Sequence, residues 1–290
     1  MLITGAAGFV AGHVARALAL ASWRVVGLDR AAAPAGAPFT EFCRCDLLDE
    51  SALAKLAAGR SFDAVVHLAG TLPGRAARGD LFAINAGGTS AVLEHLAGPG
   101  THVVLFSSGL VYGKHPGPYC EAMECAPVDA YAQSKLAAET LVKSWARAAR
   151  SPAAVLRPSV IYGPGAPSGM LLVSLMAALH TQQPFEMTGG EQLRDFLHVQ
   201  DAAAAVATVL QQRAEGTWNL ASGDSRSVRD VAELCATIAA RPDLLRIGAL
   251  PYREGEIFDY RLDNGALRRA LGWQPSVTLE GGLQRLWDGK

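Results

Sequence analysis

The sequence is poor in the features that mark a chain for nucleic acid, membrane or secretion. Its net charge is −1 and only 18% of its residues are charged. No basic surplus is therefore present to neutralise a phosphate backbone or hold an anionic membrane surface, and neither partner is expected. Apolar residues make up 50% of the chain, yet no run of them approaches the roughly 20 residues of a membrane helix. The N-terminus lacks the charged lead and cleavage site of a signal peptide, so a cytoplasmic protein is expected. Cysteine is scarce and odd in number. Cys43, Cys45, Cys120, Cys125 and Cys235 contain no CxxC pair, which argues against a disulfide framework or a tetrahedral zinc site. None of the seven histidines falls in an HExxH-like pattern, and no metal is expected. Internal repeats are absent too.

What is present is length and alternation. A chain of 290 residues buries a large core, in one large domain or one domain with a smaller lobe. Short β-branched runs at Leu2–Thr4, Arg24–Leu28, Ala64–Leu68, His102–Ser107 and Ala153–Leu156 read as strands. Between them, Phe9–Ala21, Ser51–Ala58, Asp80–Leu96 and Ala130–Ala149 read as amphipathic helices. Each helix is long enough to carry the chain to a parallel neighbour, which predicts an α/β fold with a doubly wound, Rossmann-type parallel sheet and helices on both faces. The regular pattern breaks at "YGPGAPSG". Residues 1–162 are expected to form the dinucleotide-binding domain and 163–290 a smaller α+β lobe, some of whose segments return to the main sheet. Helices are expected there at Met170–Thr181, Val199–Gln211, Val228–Ala239 and Leu267–Leu271.

Thr4-Gly5-Ala6-Ala7-Gly8-Phe9-Val10-Ala11 follows the first strand and opens the first helix. Backbone N–H groups at that positive helix end suit a pyrophosphate, and Gly5 and Gly8 allow a tight turn and close approach. Such glycines also serve ordinary strand-to-helix turns. Asp29 ends the second strand at about the 20-residue spacing where a carboxylate reads a ribose and repels a 2′-phosphate, which favours NAD. Arg30 beside it leaves NADP open, and a solvated strand-end role for Asp29 stays open as well.

"YAQSK" sets Tyr131 and Lys135 one helical turn apart on a common face. The expectation is that the Lys135 ammonium draws the Tyr131 phenol toward a useful range, so that it moves a proton at an alcohol or ketone. A solvated helix face is the alternative for such a pair. The run His102–Ser107 leads into Ser108 and Gly109, at the C-terminal strand edge where open α/β sheets bind ligands. Ser108 is then placed to hydrogen-bond the reacting oxygen.

Taken in order, "TGAAGFVAGH", "VVGLD", "CDLLD", "VHLAG", "IN..GT", "FSSGLVYG", "YAQSK", "LRPSVIYGPG" and "RDFLHVQD" resemble the extended short-chain dehydrogenase/reductases, the NAD-dependent epimerase/dehydratase family. The resemblance spans nearly the whole chain. It implies that Ser108, Tyr131 and Lys135 are catalytic and that Asp46 and Leu47 border an adenine. It further implies that Leu68, Ala69 and Gly70 line the middle of the cofactor, and that Asn85 lies toward the nicotinamide. Lys135 would also touch the nicotinamide ribose. Ala7, Phe9, Val10, Ser107 and Pro158 join the cofactor set on the same ground. For Asp46 a turn or cap role, and for Asn85 a buried structural amide, remain open on the residues alone. The implied substrate is a sugar nucleotide, with Ser108, Ser159, Arg194, Arg253 and Glu256 around it and the arginines on its diphosphate. Alternatively, Arg194 pairs with Asp195 or Asp201, and Arg253 with Glu254, as ion pairs.

Two departures bear on the reaction. Gly109 and Leu110 stand where dehydratases of the resembled family carry Asp and Glu, which disfavours 4,6-dehydration. Val160 stands where many epimerases have an asparagine, which favours the alternative of an NAD(P)-dependent dehydrogenase or reductase of a small hydroxy- or keto-compound. A third reading is a catalytically silent, NAD-binding subunit, and a homodimer is compatible with all three. His67 is expected to be a satisfied structural imidazole. Trp218, Trp273 and Trp287 are expected in the lobe core or a subunit contact, and the mixed charges after Asp259 are expected on a solvated surface.

Overall fold

The triplet Leu2–Thr4 forms β1 and is buried throughout, as a central strand covered on both faces must be. In the computed structural model, which describes residues 1–74 and 78–289, the first half continues through α1 (Phe9–Leu20), β2 (Val26–Asp29), β3 (Glu41–Arg44), α2 (Glu50–Ala57), β4 (Ala64–His67), α3 (Arg78–Phe82), α4 (Gly88–His95), β5 (His102–Phe106), α5 (Ala130–Ala149) and β6 (Ala153–Pro158). The second half runs through β7 (Val160–Tyr162), α6 (Leu171–His180), β8 (Phe185–Met187), β9 (Leu193–His198), α7 (Val199–Gln211), β10 (Gly216–Leu220), β11 (Ser225–Ser227), α8 (Val228–Ile238), β12 (Leu245–Ile247), β13 (Asp259–Tyr260), α9 (Gly265–Leu271) and α10 (Leu279–Asp288).

Seven strands pair in the order β10-β6-β5-β4-β1-β2-β3, all parallel. This is the doubly wound Rossmann-type sheet that the alternation predicts. The order reverses beside β1, so the C-terminal ends of β1 and β4 open a crevice there. One core layer packs α1 and α7 on the sheet through Val14, Leu18, Val206 and Val209. Asp49 and Asp129 start α2 and α5 by accepting the N–H groups of Ala52 and Ala132.

Several expectations shift. The second strand begins two residues later than expected, at Val26, and includes Asp29. β3 is an additional edge strand, only partly buried. The helix expected over Asp80–Leu96 is broken by a π-helical turn at Ala83–Gly87. β10 and α7 belong to the main sheet and its helix layer although they follow residue 162.

The remaining elements form a lobe over the C-terminal strand ends. β9 is its spine, pairing β11 and β13 through its first residues and β7 through its last. A short parallel pair, β8 with β12, lies beyond, and α6, α8 and α10 enclose Leu175, Leu179, Val231 and Leu283. Trp287 packs there, but Trp273 and Trp218 pack against the main-sheet core, unlike the expectation for all three. Among the described residues no helix is long and apolar enough to cross a membrane.

Candidate active site

The turn after β1 is built by contacts that tolerate no side chain. Gly5 has φ +69, and a Cβ on it would lie 2.6 Å from the Ala69 nitrogen. A Cβ on Gly8 would lie 3.0 Å from the Gly5 carbonyl oxygen. Gly8 caps α1 without a side-chain hydrogen bond, and the first turn carries no acidic residue. The N-terminal N–H groups of α1 are thus left for an external anion. Asp29 holds this turn from the side, one carboxylate oxygen accepting from the Ala7 N–H at 3.0 Å and the other from Ala31 at 2.8 Å.

Asp29, Arg30, Asp46 and Leu47 line one end of the cleft together with Ala69 and Gly70. Asp46 also accepts from the Leu48 N–H at 3.0 Å, so its turn role is real. The Arg30 carbonyl accepts from the Arg44 guanidinium at 3.0 Å. Ala7, Gly8, Phe9, Val10 and Leu68 line the adjoining compartment, of about 570 Å³, which extends to Ser108, Tyr131, Lys135, Pro158 and Ser159. Asn85 is not on the cleft wall. It sits behind Gly70, accepting from the Thr71 N–H at 2.7 Å and donating to Ser134 at 2.9 Å, which is the structural-amide role.

Ser108 emerges from the C-terminal end of β5 and accepts from the Leu110 N–H at 3.1 Å. Tyr131 and Lys135 come from the first turns of α5, whose start Asp129 fixes. Burial pushes the Tyr131 phenol up to about 12, opposed by the Ser108 hydroxyl and reinforced by Asp129. Lys135 is buried and pulled down to about 8 by desolvation, with Glu139 opposing. The expected pull of Lys135 on Tyr131 is therefore not what governs the phenol here. The physical reason is that burial disfavours both charged forms at once.

Beneath this group lies a residue that reading the sequence missed. Glu139, one turn beyond Lys135, accepts from Ser107 at 2.6 Å and from the Arg157 Nε and a terminal guanidinium nitrogen at 2.9 and 2.7 Å. Its carboxyl is lowered despite burial, because Arg157 and Ser107 bond to the charged form. Ser107 spends its hydroxyl here. The i+4 spacing from Lys135 was the available signal. His67 bonds Thr4 at 2.6 Å and Thr89 at 3.0 Å, and burial holds it down to about 3, so it is a neutral structural imidazole.

On the lobe side, Arg194, Arg253 and Glu256 converge on a pocket of about 490 Å³ with Thr188 and Gln192. Glu256 accepts from Arg194 at 2.6 Å and from Arg253 at 3.4 Å. The alternative ion pairs are not formed with the expected partners. Asp195 instead accepts from Ser159 at 2.7 Å, from the Ser222 hydroxyl and from the Gly223 N–H, while Asp201 binds Ser276 and Val277. Ser159 lines the cleft, but its hydroxyl is spent on Asp195. Val160 lines both this pocket and the Tyr131 compartment, so the two adjoin.

The charges after Asp259 are solvated as expected, Asp263, Arg268, Arg269, Glu280 and Arg285 being exposed, whereas the first apolar residues of the segment are buried. Asp259 and Arg261 pair with each other at 2.6 Å on the outside, and Tyr260 and Leu262 turn inward and are buried. Tyr260 donates to the Pro158 carbonyl at 3.2 Å and so reaches the floor of the Tyr131 compartment from the lobe.

Residues 1–221 match the NAD dependent epimerase/dehydratase family, and the chain belongs to that family. Among characterised relatives, it is 30% identical to the dTDP-glucose 4,6-dehydratase of Neisseria gonorrhoeae, over 98% of this chain and 93% of that protein. It is 32% identical to the UDP-glucose 4-epimerase of Streptomyces lividans, over 95% and 91%. The crystal structure of the UDP-glucuronic acid 4-epimerase of Bacillus cereus, in complex with UDP-glucuronic acid and NAD, superposes with a TM-score of 0.86 at 25% identity, covering 99% of this chain and 98% of that one.

Proposed function

We propose that this member of the NAD dependent epimerase/dehydratase family binds NAD along the Gly5–Phe9 turn and acts as an epimerase or oxidoreductase at a secondary alcohol or keto group of a sugar nucleotide. The observation that carries the reading is the adjacency at Val160 of two unlike compartments, one with Ser108, Tyr131 and Lys135, the other with Arg194, Arg253 and Glu256. A molecule with a reacting hydroxyl at one end and a diphosphate at the other fits both. The residues present also fit the cofactor. The glycine cradle leaves backbone approach open, α1 offers uncapped N–H groups, and Asp29 presents a negative charge that favours ribose hydroxyls over a 2′-phosphate.

A nicotinamide held there would supply the hydride acceptor or donor. Tyr131 accepts or donates the proton of the carbinol oxygen, Ser108 orients that oxygen, and Lys135 offers a cation one helical turn from Tyr131 in the same compartment. Arg194 and Arg253 exchange Glu256 for the diphosphate, and Glu256, so released, faces the nucleotide sugar. Gly109 and Leu110 bring no acid or base next to Ser108, which supports epimerisation or net redox over loss of water.

The test is incubation of the NAD-loaded protein with UDP-, dTDP- and GDP-linked hexoses, read by product NMR and nicotinamide absorbance. Stereoisomer exchange without net absorbance change identifies an epimerase, and net change identifies a dehydrogenase or reductase. In either case Tyr131→Phe should lower turnover by about 10²–10⁴-fold while NAD binding is kept. A 4-keto-6-deoxy product would overturn the preference against dehydration. Turnover of small hydroxy-compounds alone would overturn the sugar-nucleotide reading, and no turnover across both panels would make the chain a silent NAD-binding subunit.

A further inference from the structure

Between β7 and α6 the chain runs through residues 163–169 beside the Gly8–Phe9 turn. Gly165 and Pro167 line the Tyr131 compartment together with Gly8, Phe9 and Lys135. Gly165 also lines a second hollow, of about 310 Å³, with Gly12, His13 and Arg16 of α1. One side chain spans the gap. His13 stands one helical turn beyond Phe9, which meets its ring edge-on at 5.7 Å between centroids, and its Nε2 lies 3.1 Å from the Pro164 carbonyl oxygen. A carbonyl only accepts, so Nε2 carries the proton and donates. The other hydrogen bonds of the segment, from the Ala166 N–H to Gly163 and from the Met170 N–H to Pro167, are local. Among the described residues, the His13 bond is the one that joins residues 164–169 to anything outside 163–170.

The ends of the segment are built to turn. Gly163, Gly165 and Gly169 have φ of +143, +84 and +90, and a Cβ on Gly169 would meet nothing within 4 Å. At the other end, a Cβ on Gly163 would lie 3.2 Å from His198 Nε2. His198 is buried and held down to about 4 by desolvation, and its Nδ1 accepts from the Gln200 N–H at 3.4 Å. Nε2 is then the protonated nitrogen, a donor without a partner beneath the hinge.

We propose that residues 163–169 are a strap that retains NAD, with His13 as its clasp. This rests on the placing of NAD along the Gly5–Phe9 turn and not on the sugar-nucleotide reading. The strap lines the compartment headed by that turn, and its clasp grows from the helix whose uncapped N–H groups are left for an anion. With the clasp made, Gly165 is held against Phe9. When it opens, the Pro164 carbonyl leaves His13 and the segment swings on Gly163 and Gly169, where the spare His198 N–H offers a strap carbonyl a replacement bond. One hydrogen bond is exchanged for another, so the two states lie close in energy, as a gate requires. The clasp therefore governs how long the cofactor stays rather than whether it fits. An epimerase keeps its nicotinamide through the cycle and a dehydrogenase exchanges it, and the strap bears on both.

The test follows release of NADH by its fluorescence when the loaded protein is mixed with excess NAD, in the parent, His13→Phe and His13→Gln. Phenylalanine keeps an aromatic edge on Phe9 and removes the donor, whereas glutamine returns an N–H at the place of Nε2. Release from His13→Phe should be about three- to tenfold faster, the effect of one hydrogen bond, with association changed by less than about twofold. His13→Gln should lie within about twofold of the parent. Hydrogen exchange of residues 163–170 in the parent, read by mass spectrometry, should slow when NAD is bound, and it depends on no variant. Equal release from the parent and His13→Phe overturns the strap. So does a loss that falls on association, which assigns His13 to shaping the turn, or a faster release that His13→Gln leaves in place. Exchange that is the same with and without NAD overturns it as well. A parent that binds no NADH overturns the placing of NAD itself, and the strap with it.

Discussion

The Gly5–Phe9 turn and the Arg194 pocket both present donors suited to phosphate, but they hold them by opposite means. In the turn the donors are backbone N–H groups, fixed by a glycine pressed against Ala69 and by the Asp29 carboxylate on Ala7. In the pocket they are two long side chains sharing one carboxylate, Glu256, contributed by a segment 62 residues away from Arg194 in sequence. The first site is complete before any ligand arrives. The second must give up ion pairs when an anion enters, so the net gain there is the difference between two charge-assisted contacts. A main-chain site of the first kind serves one invariant ligand, whereas a side-chain site of the second kind is open to adjustment of substrate.

The main-chain turn is most vulnerable at Gly5. Gly5→Ala forces a Cβ into backbone at 2.6 Å and strains a φ of +69, so calorimetry should find NAD binding weakened by about 100-fold or more. Unchanged binding would mean that the turn yields and is not preset. Arg194→Leu should raise KM for a sugar nucleotide by about 10–100-fold and leave NAD binding intact, because a largely buried donor is lost and Glu256 is left beside one cation. Arg253 is 87% exposed, where solvent screens it, and Arg253→Leu should cost about threefold or less. Equal effects of the two would show that burial does not rank them.

Lys135 sharpens the contrast from a third side, as a side-chain cation that is buried like a backbone donor. Its folded value of about 8 lies below the ordinary 10.5, so between those values the unfolded chain binds more protons than the native one. Stability of the ligand-free protein should therefore rise with pH across that window. Below pH 8 the buried ammonium costs stability, and Lys135→Met should raise it by about 1–3 kcal/mol at pH 7 while flattening the rise. Denaturant unfolding at pH 7 and 10 measures both. A variant less stable than the parent at pH 7 would mean that Lys135 is well paired.

How much of this was legible in the sequence follows the same divide. The turn glycines, the strand-end Asp29 and the Tyr131–Lys135 spacing are local patterns, and the sheet order follows from short strands joined by crossover helices. β3 escaped notice because Glu41–Arg44 is a half-exposed edge with charged ends, and the π-helical turn at Ala83–Gly87 leaves the apolar period of its helix almost unchanged. The shared Glu256 pairs residues far apart in sequence, which no local pattern encodes. Tyr260 was hidden by its charged neighbours, although Asp259-Tyr260-Arg261-Leu262 alternates polar and apolar with the period of a half-buried strand. That alternation was the signal to follow.

If the lobe recognises a nucleoside diphosphate as proposed, that recognition is separable from the chemistry at Tyr131. Titration calorimetry of UDP, dTDP and GDP into the NAD-loaded parent, Tyr131→Phe and Arg194→Leu proteins tests it directly. At least one of these nucleotides should bind the parent and Tyr131→Phe equally and Arg194→Leu about tenfold or more weakly. Equal binding by Arg194→Leu, or no binding of any of the three by the parent, would contradict the account.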